Sequence, residues 1–312
     1  MPEISVIIPV FNGEDFIADA IQSVQAQTLR PCEIIVIDDG STDRTSHVVE
    51  QLGGPVRITL LRQENRGIGA ARNAGVALAR GEWVAFLDAD DIWYPNKLEV
   101  QVGYIEAYPG FGMFYSDMDS IDPDGNIKER SFVANEQSRR SRKKANIFTI
   151  IYRGQPAVYP SSVLLRKDTF VEVGGCDRSF RRLGDTDLFE RVLHIAPAMF
   201  IPQSLAKYRR RAVDPPELAA AWEEGYFQLL DRLWARWRSD PEKEVFLLRQ
   251  YMRRHEKRGV AHMESQIYRQ ARISFWQGLS YYPWSWSVLR RLGLTFLPGI
   301  RRYYSLRKRR ER

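Results

Sequence analysis

The first ninety residues alternate between short apolar runs and amphipathic stretches. Ile4-Ser5-Val6-Ile7-Ile8 is a β-branched run ended by Pro9, and Glu33 to Ile37 is a second, ended by Asp38-Asp39-Gly40. Arg57 to Leu61 is a third, and Trp83 to Leu87 a fourth, ended by Asp88-Ala89-Asp90. Strands that are apolar almost throughout are buried on both faces, as in a parallel sheet. Between them, Phe16, Ile17, Ala20, Ile21 and Val24 share one helical face. Ser41-Thr42-Asp43 offers N-cap chemistry ahead of Val48, Val49 and Leu52. The Ala-rich stretch Gly67 to Ala79 can pack closely on a sheet. Strands that start about every 25 residues fit βαβ units with right-handed crossovers.

Beyond residue 91 the pattern loosens. Phe111 to Ser116 and Ser161 to Leu165 predict strands, Asp122-Pro123-Asp124-Gly125 a turn, and Ser138 to Lys144 a basic loop. The last third predicts helix over Glu217–Trp237 and, after a break near Pro241, over Lys243–Gln277. This divides the chain into an α/β part, 1–215, and a helical part, 216–312.

In an open parallel sheet, ligands bind beyond the carboxyl ends of the strands. Pro9, Asp38, Asp39, Asp88 and Asp90 all fall at such ends. Acidic clusters gathered at one edge would repel each other and any phosphate without a cation, so the pattern predicts a divalent metal. The alternating carboxylates of Asp88 and Asp90 (a DXD motif) can share Mg²⁺ or Mn²⁺, with waters and ligand phosphates completing the octahedron. The same run also admits a purely structural role, with Asp90 or Asp91 capping a helix that begins near Asn96. Gly67-Ile68-Gly69-Ala70-Ala71-Arg72 is not a dinucleotide fingerprint, because Arg72 takes the third glycine position and the segment follows the third strand.

Composition narrows the classes. Hydrophobic residues make up 44% of 312, enough for a sizeable core. The two cysteines, Cys32 and Cys176, make neither a disulfide framework nor a zinc site, which leads to the expectation of a reducing cytoplasm. No basic n-region precedes the first apolar run, and no stretch reaches the ~18 apolar residues of a membrane span. The net charge of +7 is concentrated, since Leu279–Arg312 holds nine Lys/Arg against one Glu. The body is therefore near neutral, which disfavours a nucleic-acid binder. The tail over 279–312, with Trp284, Trp286 and apolar residues beside its arginines, suits peripheral docking on an anionic membrane at its inner face; packing on the catalytic domain is the competing expectation.

Four ordered motifs carry a resemblance: VIIPVFNG (Val6–Gly13), IIVIDDGSTD (Ile34–Asp43), NRGIGAARNAG (Asn65–Gly75) and WVAFLDADD (Trp83–Asp91). Together with the later block Ser161–Arg191, they resemble family 2 of the inverting glycosyltransferases over about residues 4–210. The resemblance implies the GT-A fold, a Rossmann-like, mostly parallel sheet flanked by helices, here with a helical C-terminal extension. It implies a nucleotide-diphosphate sugar donor, UDP by default, a Mn²⁺ or Mg²⁺ ion, and a glycan, lipid-linked or protein acceptor in cell-surface polysaccharide or glycoconjugate synthesis. By position, Pro9 and Phe11 would line the nucleotide pocket and Asp39 would bond the base or ribose. Arg72 and Asn73 would lie near the donor, Asp88 would face the ribose or metal-bound water, and Asp90 would bind the metal.

The matching base is Asp185 in Gly184-Asp185-Thr186-Asp187-Leu188-Phe189, although Gly184 stands where the family has an acidic residue. A role for Asp185 as helix cap, or for Asp187 as base, stays open. Arg211 stands where relatives carry a histidine, and an arginine there would contact the diphosphate instead. Two alternatives remain. A sugar nucleotidyltransferase would need a Gly-rich basic loop after the first strand, which Pro9–Gly13 lacks. A non-catalytic nucleotide-sugar-binding module would follow if Gly184 marked a decayed site.

Overall fold

A computed structural model of the chain describes residues 1–133, 158–210, 216–265, 267–283 and 285–295. Two compact units result, Met1–Trp222 and Glu223–Arg312.

The first unit is built on one sheet. Its strands are β1 (Ile4–Val10), β2 (Glu33–Asp38), β3 (Ile58–Arg62), β4 (Trp83–Phe86), β5 (Ile92–Trp93), β6 (Met113–Ile121), β7 (Ile127–Glu129), β8 (Val163–Arg166) and β9 (Ala198–Arg209). Their order is β3-β2-β1-β4-β8-β6-β9-β5, with β7 paired to β6. The first four of that order are parallel, β8 runs against both its neighbours, and β9 is parallel to β6. The mostly parallel sheet expected from the apolar runs is therefore present, with β8 inserted antiparallel and the short β5 and β7 pairing antiparallel with β9 and β6.

Alternation along β1 splits the core in two. Ile4, Val6, Ile8 and Val10 face α1 (Ile17–Gln25), burying Ile17, Ala20, Ile21 and Val24. Ile7 faces α3 (Ile68–Leu78), where Ala71 and Val76 are buried. Gly75 makes that approach possible, because a Cβ there would lie 2.3 Å from the Ile7 Cγ2. Between them lies α2 (Thr45–Glu50), and α4 (Lys97–Ala107) follows β5. After β8 come α5 (Lys167–Glu172) and α6 (Gly184–Ile195), whose Leu188, Phe189 and Val192 join the Ile7 side of the core.

Several expectations are corrected. Pro9 does not end the first strand; it sits inside β1 opposite Ile37. The Ile7 carbonyl accepts the Leu87 N–H while the Val10 carbonyl accepts the Asp39 N–H, so Pro9, like Ile7, turns its backbone toward β4. The next rung to β4 would need the Pro9 N–H, which proline lacks. β1 and β4 part there, at the point from which Asp88 departs. Ser41 does not reach α2, whose N-cap position is Arg44, but Asp43 Oδ1 accepts the N–H of Thr45, the first residue of that helix, at 3.0 Å. Both also reach across the sheet edge: the Asn12 N–H donates to Ser41 Oγ at 2.9 Å and the Glu14 N–H to Asp43 Oδ2 at 3.1 Å. The 12-residue β9 was missed because Pro202 and a mixed burial pattern mask it.

The second unit begins within α7 (Pro216–Trp237), after Trp222, and continues with α8 (Pro241–Glu264), α9 (Tyr268–Tyr281) and α10 (Trp286–Leu294). Pro241 starts a helix, as proline tolerates at a first helical position. The single helix expected over Lys243–Gln277 is two, folded back on each other. Gly259 and Gly278 allow the close approach, since a Cβ at Gly259 would meet Phe275 Cε1 at 2.4 Å. Among the described residues, no helix is long and apolar enough to cross a membrane.

Candidate functional site

The site forms at the carboxyl edge of β1, β2 and β4. Its centre is Arg72 on α3, 4% exposed, whose Nη2 donates to Asp88 Oδ1 at 2.7 Å. Helix α3 follows the left-handed Gly67 (φ 85°) and lies under the sheet edge, so Arg72 rises beneath the end of β4. Asp88 is held from the other side, its N–H donating to Ser161 Oγ at 3.0 Å. The Arg72 Nε is buried and lacks a hydrogen-bond partner.

Asp185 lies in the first turn of α6 and is partly exposed. Burial raises its carboxyl above the ordinary value; the Arg72 guanidinium and the Thr186 N–H oppose the rise, and the Asp88 charge adds to it. The structure therefore brings together Arg72, Asp88 and Asp185, residues far apart in the chain. The helix-cap role does not apply to Asp185. The N-cap is Leu183 (φ 64°), and the Asp185 side chain accepts from the Thr186 N–H at 2.8 Å and from its own backbone N–H. Asp187 is buried and paired with Arg191, whose Nε and Nη2 lie 2.9 and 2.7 Å from its Oδ2. Buried and held by Arg191, the Asp187 carboxylate is not open to a substrate hydroxyl, which separates the two aspartates.

The acidic convergence expected at the edge is not one cluster. Among the described residues, no group of three or more His, Cys, Asp or Glu side chains could hold a metal. The reason is that protein donors claim the carboxylates. Asp39, 3% exposed, accepts from Gln63 Nε2 (2.7 Å), the Arg66 N–H (3.0 Å) and the Gly67 N–H (2.8 Å), clamping the β3–α3 loop. Asp91, 2% exposed, accepts from Ser161 Oγ at 2.5 Å and from the Arg209 N–H at 3.0 Å. It therefore does not cap α4, whose N-cap is Asn96. Burial, with the charges of Asp90 and Asp88 added, pushes its carboxyl well above the usual range. Asp90 is partly exposed, with its carbonyl held by Arg209 Nε at 2.8 Å.

The remaining residues divide. Phe11 is 51% exposed beside the left-handed Asn12 (φ 50°), and Pro9 is buried beneath it. Asn73 exchanges two 2.8 Å bonds with the backbone of Cys176, so its amide ties α3 to the turn before α6. Arg211 lies outside the described residues. The sequence motifs contain Asp91 and Ser161 but do not reveal that these two, with Arg209, brace the loop after β4.

An Mg²⁺ or Mn²⁺ site needs only one or two carboxylates when phosphates and waters supply the rest. Asp90, accessible and set in the negative potential that raises Asp91, fits that requirement.

Comparison with known proteins agrees with this architecture. Residues 5–170 match the model of glycosyl transferase family 2. An uncharacterized glycosyltransferase of Rickettsia prowazekii is 29% identical over 79% of this chain and 75% of its own length. The succinoglycan biosynthesis protein ExoO of Rhizobium meliloti is 32% identical over 54% of this chain and 45% of its own. The crystal structure of S. aureus TarS 1–349 in complex with UDP-GlcNAc superposes with a TM-score of 0.66 at 19% identity, covering 90% of this chain and 82% of that one. With the family model matching more than half its length, the chain belongs to glycosyl transferase family 2.

Proposed function

We propose that this chain transfers a sugar from a nucleotide diphosphate, UDP in the first instance, to an acceptor hydroxyl with inversion, using Asp185 as general base. The observation that carries the reading is the grouping of Arg72, Asp88 and Asp185 at the sheet edge of a family 2 fold. The UDP-GlcNAc bound to TarS supports a UDP-sugar donor. The name of ExoO supports a role in cell-surface polysaccharide synthesis.

In this reading the nucleoside faces Pro9, Phe11 and the loop clamped by Asp39, and the diphosphate lies toward Arg72. A carboxyl with a raised pKa is a stronger base than an ordinary one, and Asp185 is so placed. It takes the proton of the acceptor hydroxyl as that oxygen bonds to the anomeric carbon. The bond from that carbon to the phosphate oxygen breaks on the opposite face, and an α-linked donor gives a β-linked product. The buried Arg72 guanidinium stabilises the charge gathering on the departing diphosphate. A Mg²⁺ or Mn²⁺ ion held through Asp90 would supply further neutralisation of that leaving group. The same reading keeps the division into a catalytic part, 1–215, and a helical part, 216–312, and keeps the tail beyond 279 as a peripheral membrane anchor at the inner face.

The test is UDP release from UDP-GlcNAc and other UDP-sugars, with acceptor supplied or water as the acceptor. Asp185→Asn should abolish turnover while UDP binding, read by thermal shift, persists. Failure of every nucleotide diphosphate to bind, with or without Mn²⁺, would remove the reading.

A further inference from the structure

We infer that the loop entering α6 is an anion-reading acceptor subsite, selecting acceptors that carry phosphate or carboxylate next to the reacting hydroxyl. The inference rests on the placement of Asp185 as base and deepens that reading.

The loop has the sequence Asp177-Arg178-Ser179-Phe180-Arg181-Arg182-Leu183, so three arginines fall within the eight residues that precede the base. Its shape is fixed from inside. Phe180 and Leu183 are buried at 6% and 4%, and Leu183 adopts a left-handed φ of 64° that a branched side chain takes only when the surroundings enforce it. The Phe180 N–H donates to the Asp177 carbonyl at 3.4 Å, and Asp177 Oδ1 accepts the Ser179 N–H at 2.7 Å. Arg178 and Arg181 stay exposed, and Arg182 lies over the partly exposed Trp222 ring at 5.6 Å.

Among the described residues, Arg178, Arg181 and Arg182 form no ion pair, and the one acid in the loop, Asp177, already binds the Ser179 N–H. The Asp187 carboxylate in the same helical turn is taken by Arg191. A Cβ on Gly69 would lie 3.4 Å from Cys176 Cβ and 3.5 Å from the Asp177 carbonyl, so the start of α3 abuts this loop. Three arginines on a fixed frame, beside the N-terminal end of the 12-residue helix that carries the base, form a positive wall. Guanidinium forks match phosphate and carboxylate geometry, and an aromatic ring beside them offers a face to a sugar ring.

The probes are glucose 6-phosphate, glucuronate and glucose, titrated by ligand-observed NMR onto the full chain saturated with UDP and Mg²⁺. UDP saturation keeps the anions out of the diphosphate position, and UDP binding is measured first. Both anions, or one of them, should bind saturably where glucose does not. R178Q/R181Q/R182Q should weaken that binding by about tenfold while UDP affinity stays unchanged. R30Q/R57Q/R253Q, which removes three exposed arginines elsewhere, should leave both unchanged. Binding of glucose 6-phosphate alone assigns a phosphate-bearing acceptor, and of glucuronate alone a uronate-bearing one. Equal binding of glucose, no saturable binding of either anion, or insensitivity to the loop substitutions would overturn the inference. Loss of UDP binding in the wild-type chain would instead strike the transferase reading, and the anion titration repeated without UDP would still judge the loop.

Discussion

Asp39→Ala distinguishes a structural clamp from a donor contact. The wild-type carboxylate accepts three protein hydrogen bonds, from Gln63 Nε2, the Arg66 N–H and the Gly67 N–H, while itself 3% exposed. A hydrogen bond to a charged acceptor is worth roughly 1.5–3 kcal/mol, and a buried donor left without a partner forfeits its desolvation as well. The Gln63 side chain can turn to water and the Arg66 N–H lies at the surface side, so the full sum of about 4.5 kcal/mol or more is not lost. A net cost of about 2–3 kcal/mol follows, carried mainly by Gly67. For a unit of this size each kcal/mol moves Tm by about 2–4 °C, so the ligand-free variant should melt about 4–12 °C lower. Circular dichroism melts without and with UDP provide the assay. If the ligand-free variant melts within about 2 °C of wild type and only the UDP-induced shift disappears, the clamp is not what Asp39 contributes. The carboxylate would then act on the nucleoside.

Asp185→Asn should lower turnover by at least about 10²-fold with donor affinity retained, and near-normal turnover would move the base elsewhere. Because burial raises the Asp185 pKa, its basic form is populated only above the ordinary carboxylate range of about 4. The acidic limb of the kcat profile should therefore lie above that value and move further up in Arg72→Gln, since Arg72 opposes the rise; a limb at the ordinary position would refute the assignment. Asp90→Ala should remove the dependence of UDP-induced stabilisation on Mn²⁺, read by thermal shift against an EDTA control. Gly75→Ala should cost about 1–3 kcal/mol by denaturant unfolding, because its Cβ would meet the fully buried Ile7 at 2.3 Å, and an unchanged midpoint would mean that α3 can shift.

The sequence by itself determined the parallel half of the sheet. Its apolar runs are local, nearly continuous and regularly spaced, because β1, β2 and β4 are buried on both faces. The same regularity put Asp39, Asp88 and Asp90 at one edge, and the four motifs carried the family. What the carboxylates do there was not legible, because it depends on donors distant in the chain. Asp91 is sealed by Ser161 and Arg209, 70 and 118 residues away. Asn73 is bound to Cys176, 103 residues away. Asp187 and Asp185 are two residues apart and equally acidic on paper. The helix itself gives Asp187 an i,i+4 partner in Arg191, but only the tertiary fold sets Asp185 beside Arg72, since that charge is assigned by what packs against it and not by its place in a motif.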